Sequence, residues 1–242
     1  MIAPKINEFL QHRFRREFAF VQARLSPEGL FGLHFTIGTV VFFGAAWLFG
    51  GMAEDVITRD RLILIDEFIS EWFHSHATPR FKVGAQFVSA LASTATVSIL
   101  FAIMSCILLW KRMWHWLLGL VLVVAGGMLL NVLVKNWVGR ARPGWADPLL
   151  ALTDPSFPSG HTMMATIIYG FMAIYLILRS ASWPWRFFVA TTAILLVLLV
   201  ALSRMYLGAH YLSDVLGAMA AGMAWVALCL TVVETLRRHR GK

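Results

Sequence analysis

The sequence predicts an all-α integral membrane protein: a bundle of six transmembrane helices with an N-terminal amphipathic helix at the membrane interface. Composition is the first observation, because 59% of the 242 residues are hydrophobic and only 14% are charged, with a mean hydropathy of +0.70. These values lie outside the usual range of soluble proteins. The second observation is the length of the apolar stretches, which suffices to cross about 30 Å of hydrocarbon at about 1.5 Å per helical residue.

Residues 1–28 precede the first apolar stretch and carry five Lys and Arg residues. Apolar residues recur among them at spacings of three and four, which is typical of a helix with one face on lipid and its arginines near anionic headgroups. These are Ile6, Leu10, Phe14, Phe18, Val21 and Leu25. We therefore expect a basic interfacial helix here rather than a cleavable signal peptide, since no uninterrupted apolar core is present.

The remaining residues, 29–242, are predicted to form one membrane domain. Its six spans are expected at roughly residues 30–53, 84–110, 113–134, 161–179, 187–207 and 211–233. They leave no room for a second, soluble domain, so the loops must carry the chemistry.

Positive charge predicts the orientation of these spans. Thirteen of the 21 Lys and Arg residues lie on the side of both termini, and eight lie on the opposite side. Because cytoplasmic loops are enriched in Lys and Arg, both termini are expected in the cytoplasm. The net charge of +8 then reflects anchoring and topology, which excludes a nucleic acid partner, since the basic residues flank spans instead of forming one patch.

Two loops on the opposite side, residues 135–161 and 203–214, concentrate ionisable groups at span ends. Such groups are costly next to hydrocarbon and by default indicate a functional site. In the first loop, Lys135 and Arg142 can converge on one anion, the guanidinium gripping it bidentately. For the lysine alone, extension towards lipid headgroups is the more common role.

The sequence Pro-Ser-Gly-His at the end of the first loop opens the fourth span. Ser159 can cap the helix, Gly160 lets a ligand approach the backbone, and the free amides of the first turn favour an anion. His161 would project beside that anion. By itself, a histidine at this position is more often a cap or an interfacial residue.

The second loop strengthens the case, because Arg204, His210 and Asp214 follow one another at short spacing. A separation of four places the histidine and the aspartate on one helical face. The carboxylate can hold one imidazole nitrogen protonated and leave the other free as a nucleophile. Phosphate is the anion that best explains this set, and phosphoryl transfer needs mainly positioning and charge stabilisation. No cofactor or metal is expected, and the sequence His-Ser-His at 74–76 is read as the end of an outer amphipathic segment.

Three segments, "KNWVGRARP", "PSGH" and "SRMYLGAHYLSD", resemble the signature of the type 2 phosphatidic acid phosphatase superfamily, Lys-x6-Arg-Pro, Pro-Ser-Gly-His and Ser-Arg-x5-His-x3-Asp. The resemblance implies a metal-independent membrane lipid phosphatase. His210 would attack phosphorus and become a phosphohistidine, Asp214 would orient it, and His161 would be the general acid. The phosphate oxygens would be held by Lys135, Arg142, Arg204, Ser159 and Gly160.

Several alternatives stay open at this stage. A lipid-to-lipid phosphotransferase and a non-catalytic phospholipid transporter are the rival functions. Candidate substrates are undecaprenyl diphosphate, phosphatidylglycerophosphate, phosphatidic acid and a lipid A phosphate. Small size and short loops favour a bacterial inner membrane with the site facing the periplasm, whereas the oligomeric state leaves no trace in the sequence.

Individual residues outside the motifs have open roles as well. Arg140 contacts a second phosphate or a headgroup, or is merely solvated. Residues 55–82 shape lipid entry or form only a packing cover. Asp147 and Asp154 are expected to be surface residues.

Overall fold

The computed structural model describes residues 15–26, 29, 31–60, 62–146 and 153–240, with backbone alone at 15–18 and 21. Within these residues all regular structure is helical, which confirms the all-α fold class. The helices are α1 Arg15–Leu25, α2 Leu33–Thr58, α3 Leu62–His76, α4 Pro79–Ala90, α5 Thr94–Trp110, α6 Trp114–Val138, α7 Gly160–Arg179, α8 Trp183–Tyr206 and α9 Leu212–Arg240.

All six predicted membrane spans are present among the described residues. Five are the single helices α2, α6, α7, α8 and α9, and the sixth runs from Pro79 to Trp110 as α4 and α5 in succession. The interruption follows from sequence, because Ser93 adopts an extended conformation and its side chain accepts a hydrogen bond from the Thr96 amide at 3.3 Å. A serine in this position ends one helix and caps the next.

The centre of the bundle is formed by α7 and α9, whose apolar windows are 56% and 50% buried, compared with 6% for α2. A core of Leu120, Met163, Ile167 and Phe171 packs between α6, α7 and α9. Small residues let these helices approach one another. Gly126 on α6, for example, leaves room for the Trp225 indole of α9.

The two ends of the bundle have different chemistry. We call the end that contains residues 139–146, 153–159 and 207–211 the loop face, and the end that contains α1 and the last turn of α9 the terminal face. Arg238 at the end of α9 donates a hydrogen bond to the Gly29 carbonyl at 3.0 Å, so the segment before α2 and the last turn of α9 meet on the terminal face. Both motif loops lie on the loop face.

The N-terminal amphipathic helix is described over Arg15–Leu25 only, and residues 1–14 lie outside the described part. Phe20 and Leu25 are exposed on it, while the Arg24 guanidinium lies 5.0 Å from the Phe20 ring centroid and 5.5 Å from that of Phe35. The interfacial location of this helix stays a prediction.

Replacing Gly126 with leucine should destabilise the bundle. A Cβ atom at this position would lie 2.4 Å from Trp225 Cζ2, so either the indole or the helix must shift. Overpacking of this kind costs about 1–3 kcal/mol. We expect a melting temperature several degrees lower in detergent. The matched control is Gly44→Leu, because a Cβ at exposed Gly44 meets no atom within 4 Å; equal melting temperatures for the two variants would contradict the packing argument.

Candidate active site

The two motif loops enclose one cavity of about 250 Å³ on the loop face. It lies between the ends of α6 and α8 and the start of α7. Both histidines line this cavity, together with all three predicted cations, so the sequence-predicted groups are brought together at one membrane face. The charged and polar lining residues are Asn131, Lys135, Asn136, Arg142, Asp154, His161, Arg204 and His210.

Arg142 joins the two loops. Its Nη1 donates to the Ala209 carbonyl at 2.7 Å and lies 3.2 Å from His210 Nε2. Its Nη2 donates to Asp154 Oδ1 at 2.8 Å. The guanidinium is therefore held beside the imidazole nitrogen that faces the cavity.

His210 is fully buried immediately before α9, two residues short of the helix in which it was expected. Its Nδ1 lies 3.4 Å from Asp214 Oδ2, a long contact of the kind that often tightens only when substrate binds. Burial lowers the pKa of His210 to about 4, although Asp214 opposes this shift. The imidazole is consequently neutral at pH 7, with Nε2 available as a nucleophile.

Asp154 is half exposed, as expected for a surface residue, yet it is also part of the site. It forms ion pairs with Lys135 at 2.5 Å and Arg142 at 2.8 Å. Burial alone would raise the pKa of Asp154, but the bound Lys135 ammonium and Arg142 lower it to about 2. The ionised Asp154 carboxylate is thus bound to Lys135 and Arg142, two of the cations predicted to bind phosphate. Asp147 lies outside the described residues.

Arg204 is the cation with the fewest partners. Only 2% of it is exposed, and its Nη1 donates to Ser89 Oγ at 2.8 Å. Its Nε is buried without a hydrogen-bond partner, and within the described residues its guanidinium makes no ion pair. A buried cation without a counter-ion is costly, so this side of the cavity favours an anion.

The start of α7 is built as the motif predicts. Ser159 is the N-cap residue, and its Oγ accepts from the Thr162 amide. It is fully buried and lies behind the cavity, whereas Gly160 and His161 line it. Direct phosphate binding by Ser159 stays a prediction. Asn131 went unnoticed in the sequence; a Cβ at position 160 would lie 3.3 Å from its Oδ1, so little room remains for a side chain there.

Arg140 is neither solvated nor directed at the cavity. Its Nη1 donates to Asp214 Oδ1 and its Nη2 to Asp66 Oδ2, each at 2.8 Å, and its guanidinium carbon lies 4.2 Å from the Tyr211 ring centroid. Both carboxylates are completely buried. Asp66 also accepts hydrogen bonds from the amide and hydroxyl of Ser213. We call Asp66, Arg140, Ser213 and Asp214 the carboxylate network.

Asp66 was missed by sequence reasoning, although a signal existed. It lies on the face of α3 that Ser70 and Phe73 share, away from the exposed apolar side chains of this helix. An unexplained arginine in a motif and an acidic residue on an inward helical face are a natural pair.

Helix α3 covers the motif loops from behind and does not line the cavity. Ser70 accepts a hydrogen bond from Trp145 Nε1 at 2.8 Å, and His74 stacks on the same indole with ring centroids 5.1 Å apart. Trp145 in turn packs against Gly208, whose positive φ of 67° and close contact both favour glycine. Ile65, Phe68 and Trp72 are exposed on the outer face of α3. The packing role is therefore observed for this helix.

Comparisons with known proteins agree with this geometry. The sequence profile of the PAP2 superfamily matches residues 116–238. The chain belongs to the PAP2 superfamily. It is 34% identical over 152 residues to phosphatidylglycerophosphatase B of Bacillus subtilis, covering 62% of this chain and 74% of that protein. The undecaprenyl-diphosphatase of Sulfolobus acidocaldarius is 28% identical over 125 residues, covering 49% of this chain and 56% of that protein.

A solved structure extends the similarity beyond the motifs. The crystal structure of the transmembrane PAP2-type phosphatidylglycerolphosphate phosphatase from Bacillus subtilis matches with a TM-score of 0.70 and 27% identity, covering 78% of this chain and 94% of that one. The family and the phosphatases within it identify the present chain as a membrane phosphoric monoester hydrolase.

The carboxylate network of this PAP2 enzyme should support turnover from outside the cavity. Asp66→Asn keeps the shape but removes one charge that holds Arg140, and hydrogen bonds to charged groups contribute about 1.5–3 kcal/mol. We expect kcat to fall roughly 10–100-fold as Asp214 loses its fixed orientation, with KM nearly unchanged because Asp66 does not line the cavity. The control is Glu71→Gln on the exposed side of the same helix. A change confined to KM would argue against positioning.

Asp154 should compete with phosphate for Lys135 and Arg142. Removing its charge in Asp154→Asn leaves both cations without this counter-ion, so the inhibition constant of inorganic phosphate should fall by roughly 3–10-fold. Competitive inhibition assays on the two proteins measure this. A weaker inhibition by phosphate would mean instead that Asp154 chiefly positions the cations.

Proposed function

We propose that this enzyme removes the terminal phosphate from a membrane lipid monophosphate or diphosphate through a phosphohistidine at His210. The observation that carries the proposal is the single cavity shared by His161, His210 and the cations Lys135, Arg142 and Arg204. Positive groups around a nucleophile and a second titratable group fit phosphoryl transfer, which needs chiefly charge stabilisation and alignment.

In the first step, His210 Nε2 attacks phosphorus and the bond between phosphorus and the lipid oxygen breaks. His161, protonated once the phosphate anion has entered the cavity beside it, gives its proton to the departing oxygen, which leaves as a lipid alcohol or, from a diphosphate, as a lipid monophosphate. Asp214 accepts a hydrogen bond from the Nδ1–H of His210 and stabilises the positive charge that develops on the imidazole. Arg142 and Arg204 hold the non-bridging oxygens.

In the second step, water attacks the phosphohistidine and the phosphorus–nitrogen bond breaks. Neutral His161 takes a proton from the water, as microscopic reversibility requires. Inorganic phosphate leaves, and His210 returns to its neutral form. Metal independence is supported by the donor set, because Asp154 is the one acidic residue among the described residues that line the cavity, and it is already paired with Lys135 and Arg142.

A lipid substrate is supported by the side wall of the cavity. Val132 of α6 lines the cavity and is also 53% exposed, next to exposed Leu129, Leu133 and Trp137. A phosphate at the membrane interface can therefore reach His210 while its chains stay beside α6. The named relatives favour phosphatidylglycerophosphate and undecaprenyl diphosphate as the first substrates to assay.

The excess of Lys and Arg on the terminal face supports cytoplasmic termini and an active site on the outer side of the membrane. In a bacterial inner membrane the cavity would face the periplasm. Substrates would then be lipids of the outer leaflet.

The two histidines should fail in different ways. His210→Ala should abolish phosphate release. His161→Ala should slow formation of the phosphoenzyme about 10²–10⁴-fold with a lipid alkoxide leaving group but far less with p-nitrophenyl phosphate, whose leaving group needs no general acid. Steady-state turnover of both substrates should still fall, because His161 is also the base in the second step. Rapid quenching of His161→Ala with that ester should trap a phosphorylated chain, detected by intact mass and stable in alkali but not in acid.

The assay should use the substrates above with EDTA present throughout. Activity that survives EDTA supports the metal-independent reaction, and product analysis with added lipid acceptors separates hydrolysis from phosphotransfer. Loss of all activity in EDTA, or a phosphorylated His210→Ala chain, would contradict the proposed mechanism. A wild type silent towards every lipid phosphate would favour the transporter.

A further inference from the structure

A second and larger concavity lies in the half of the bundle towards the terminal face. It has a volume of about 910 Å³ and shares no lining residue with the phosphate cavity. Helices α2, α7, α8 and α9 bound it, together with the start of α6. We call it the terminal groove.

The terminal groove exists because α8 and α9, although consecutive, hardly contact each other. Helix α8 packs mainly on α7, and α9 packs mainly on α2 and α7. The short connection at residues 207–211 holds α8 and α9 together at the loop face alone. The space between them therefore widens towards the terminal face, with α7 as its floor.

Its length and lining suit an acyl chain. Along α7 the lining extends from Thr166 to Arg179, which is about 20 Å of helix and more than half of the hydrocarbon thickness. The walls are almost entirely apolar, including Val197, Met223 and Leu230. Gly170 lies at mid-height and faces open space, since a Cβ there would meet no atom within 4 Å.

The mouth of the groove is basic. Among the described residues, Arg179, Arg237 and Arg238 line it together with one carboxylate, Glu234, which is paired with Arg237 and Arg238 at 2.7 Å. Arg179 and Arg237 alone outnumber this carboxylate, which leaves positive charge at the mouth.

Arg179 is the cation best placed for a further anion. Its described contacts are Met113 Sδ at 2.9 Å and the Tyr175 ring, whose centroid is 5.2 Å away, and none of them is an ion pair. His34 at the same mouth has a buried Nδ1 without a hydrogen-bond partner. Both features favour a ligand with acceptor oxygens.

We propose that the terminal groove binds an anionic phospholipid from the leaflet at the terminal face, with one acyl chain between α8 and α9 and its phosphate against Arg179 and Arg237. The positive charge at the mouth of the groove favours an anionic lipid over a zwitterionic one. A zwitterionic lipid has the same phosphate but carries its own cation, so it gains less from the excess positive charge at the mouth. The site is independent of the phosphatase reaction and lies at the opposite end of the bundle.

The test is lipid binding to the purified full-length chain in detergent. Phosphatidylglycerol and phosphatidylcholine with identical acyl chains are titrated, and lipid bound per chain is counted by native mass spectrometry after detergent exchange. We expect one phosphatidylglycerol per chain, bound at least about tenfold more tightly than phosphatidylcholine. Each surface arginine contributes about fivefold to the binding of an anionic lipid, so Arg179→Gln/Arg237→Gln should weaken phosphatidylglycerol about 30-fold and phosphatidylcholine little.

Two further variants locate the lipid. A Cβ at position 170 meets no atom within 4 Å, so Gly170→Leu directs a side chain into the groove and should abolish retention of both lipids. Lys111→Gln/Arg112→Gln removes the same charge on the same face outside the groove and should leave binding unchanged. Unaltered melting temperatures in lipid-free detergent establish that each variant is folded.

Three outcomes would overturn the proposal. Equal affinity for the two lipids would mean that any acyl chain fills the groove. Equal losses in the groove double variant and in the control double variant would mean that general surface charge is responsible. Retention of lipid by Gly170→Leu would place the lipid elsewhere on the bundle.

Discussion

Arg140 binds two completely buried carboxylates at once, and this arrangement joins three distant segments of the chain. It ties α3, the first motif loop and the start of α9 through Asp66 and Asp214. Buried charges tolerate little rearrangement, because any lost partner leaves an uncompensated charge in a poorly solvated interior. The position of Asp214 is therefore fixed from behind, 3.4 Å from His210 Nδ1.

The cavity in front of this network has the opposite electrostatic character. Among the described residues that line it, the cations outnumber the one carboxylate, and Arg204 Nε is buried without a hydrogen-bond partner. Asp154 satisfies Lys135 and Arg142 from the solvent side, where a half-exposed ion pair is weaker than a buried one. A substrate phosphate can thus replace Asp154, whereas Asp214 stays in place.

The cavity is bordered by residues suited to lipid and by residues suited to water. Outward-facing Phe68 and Trp72 on α3 and exposed Val132 on α6 are suited to lipid, while the loop residues between them carry the polar groups. The interface is where a lipid phosphate and a water molecule can meet. The terminal groove repeats this combination at the other end of the bundle, with an apolar slot ending at arginines.

Much of the fold could be predicted from residues close together in sequence. Span number and type follow from the length of apolar stretches, and the Ser159 cap follows from preferences that act within one helical turn. The motif spacing also placed His210 near Asp214, although His210 lies just before α9. The interruption before Thr94 was missed because Leu91–Ser93 remains apolar enough to continue a span.

The sequence by itself determined the membrane bundle, the face that carries the motif loops and the histidines and cations that line the cavity, because these depend on local spacing and hydropathy. Only the tertiary structure decided which partners those groups have. Asp66 and Arg140 are 74 residues apart, and their pairing depends on how α3 lies across the loops. The same holds for Asp154 on its two cations and for the groove between α8 and α9, since helix packing angles are set by many side chains together.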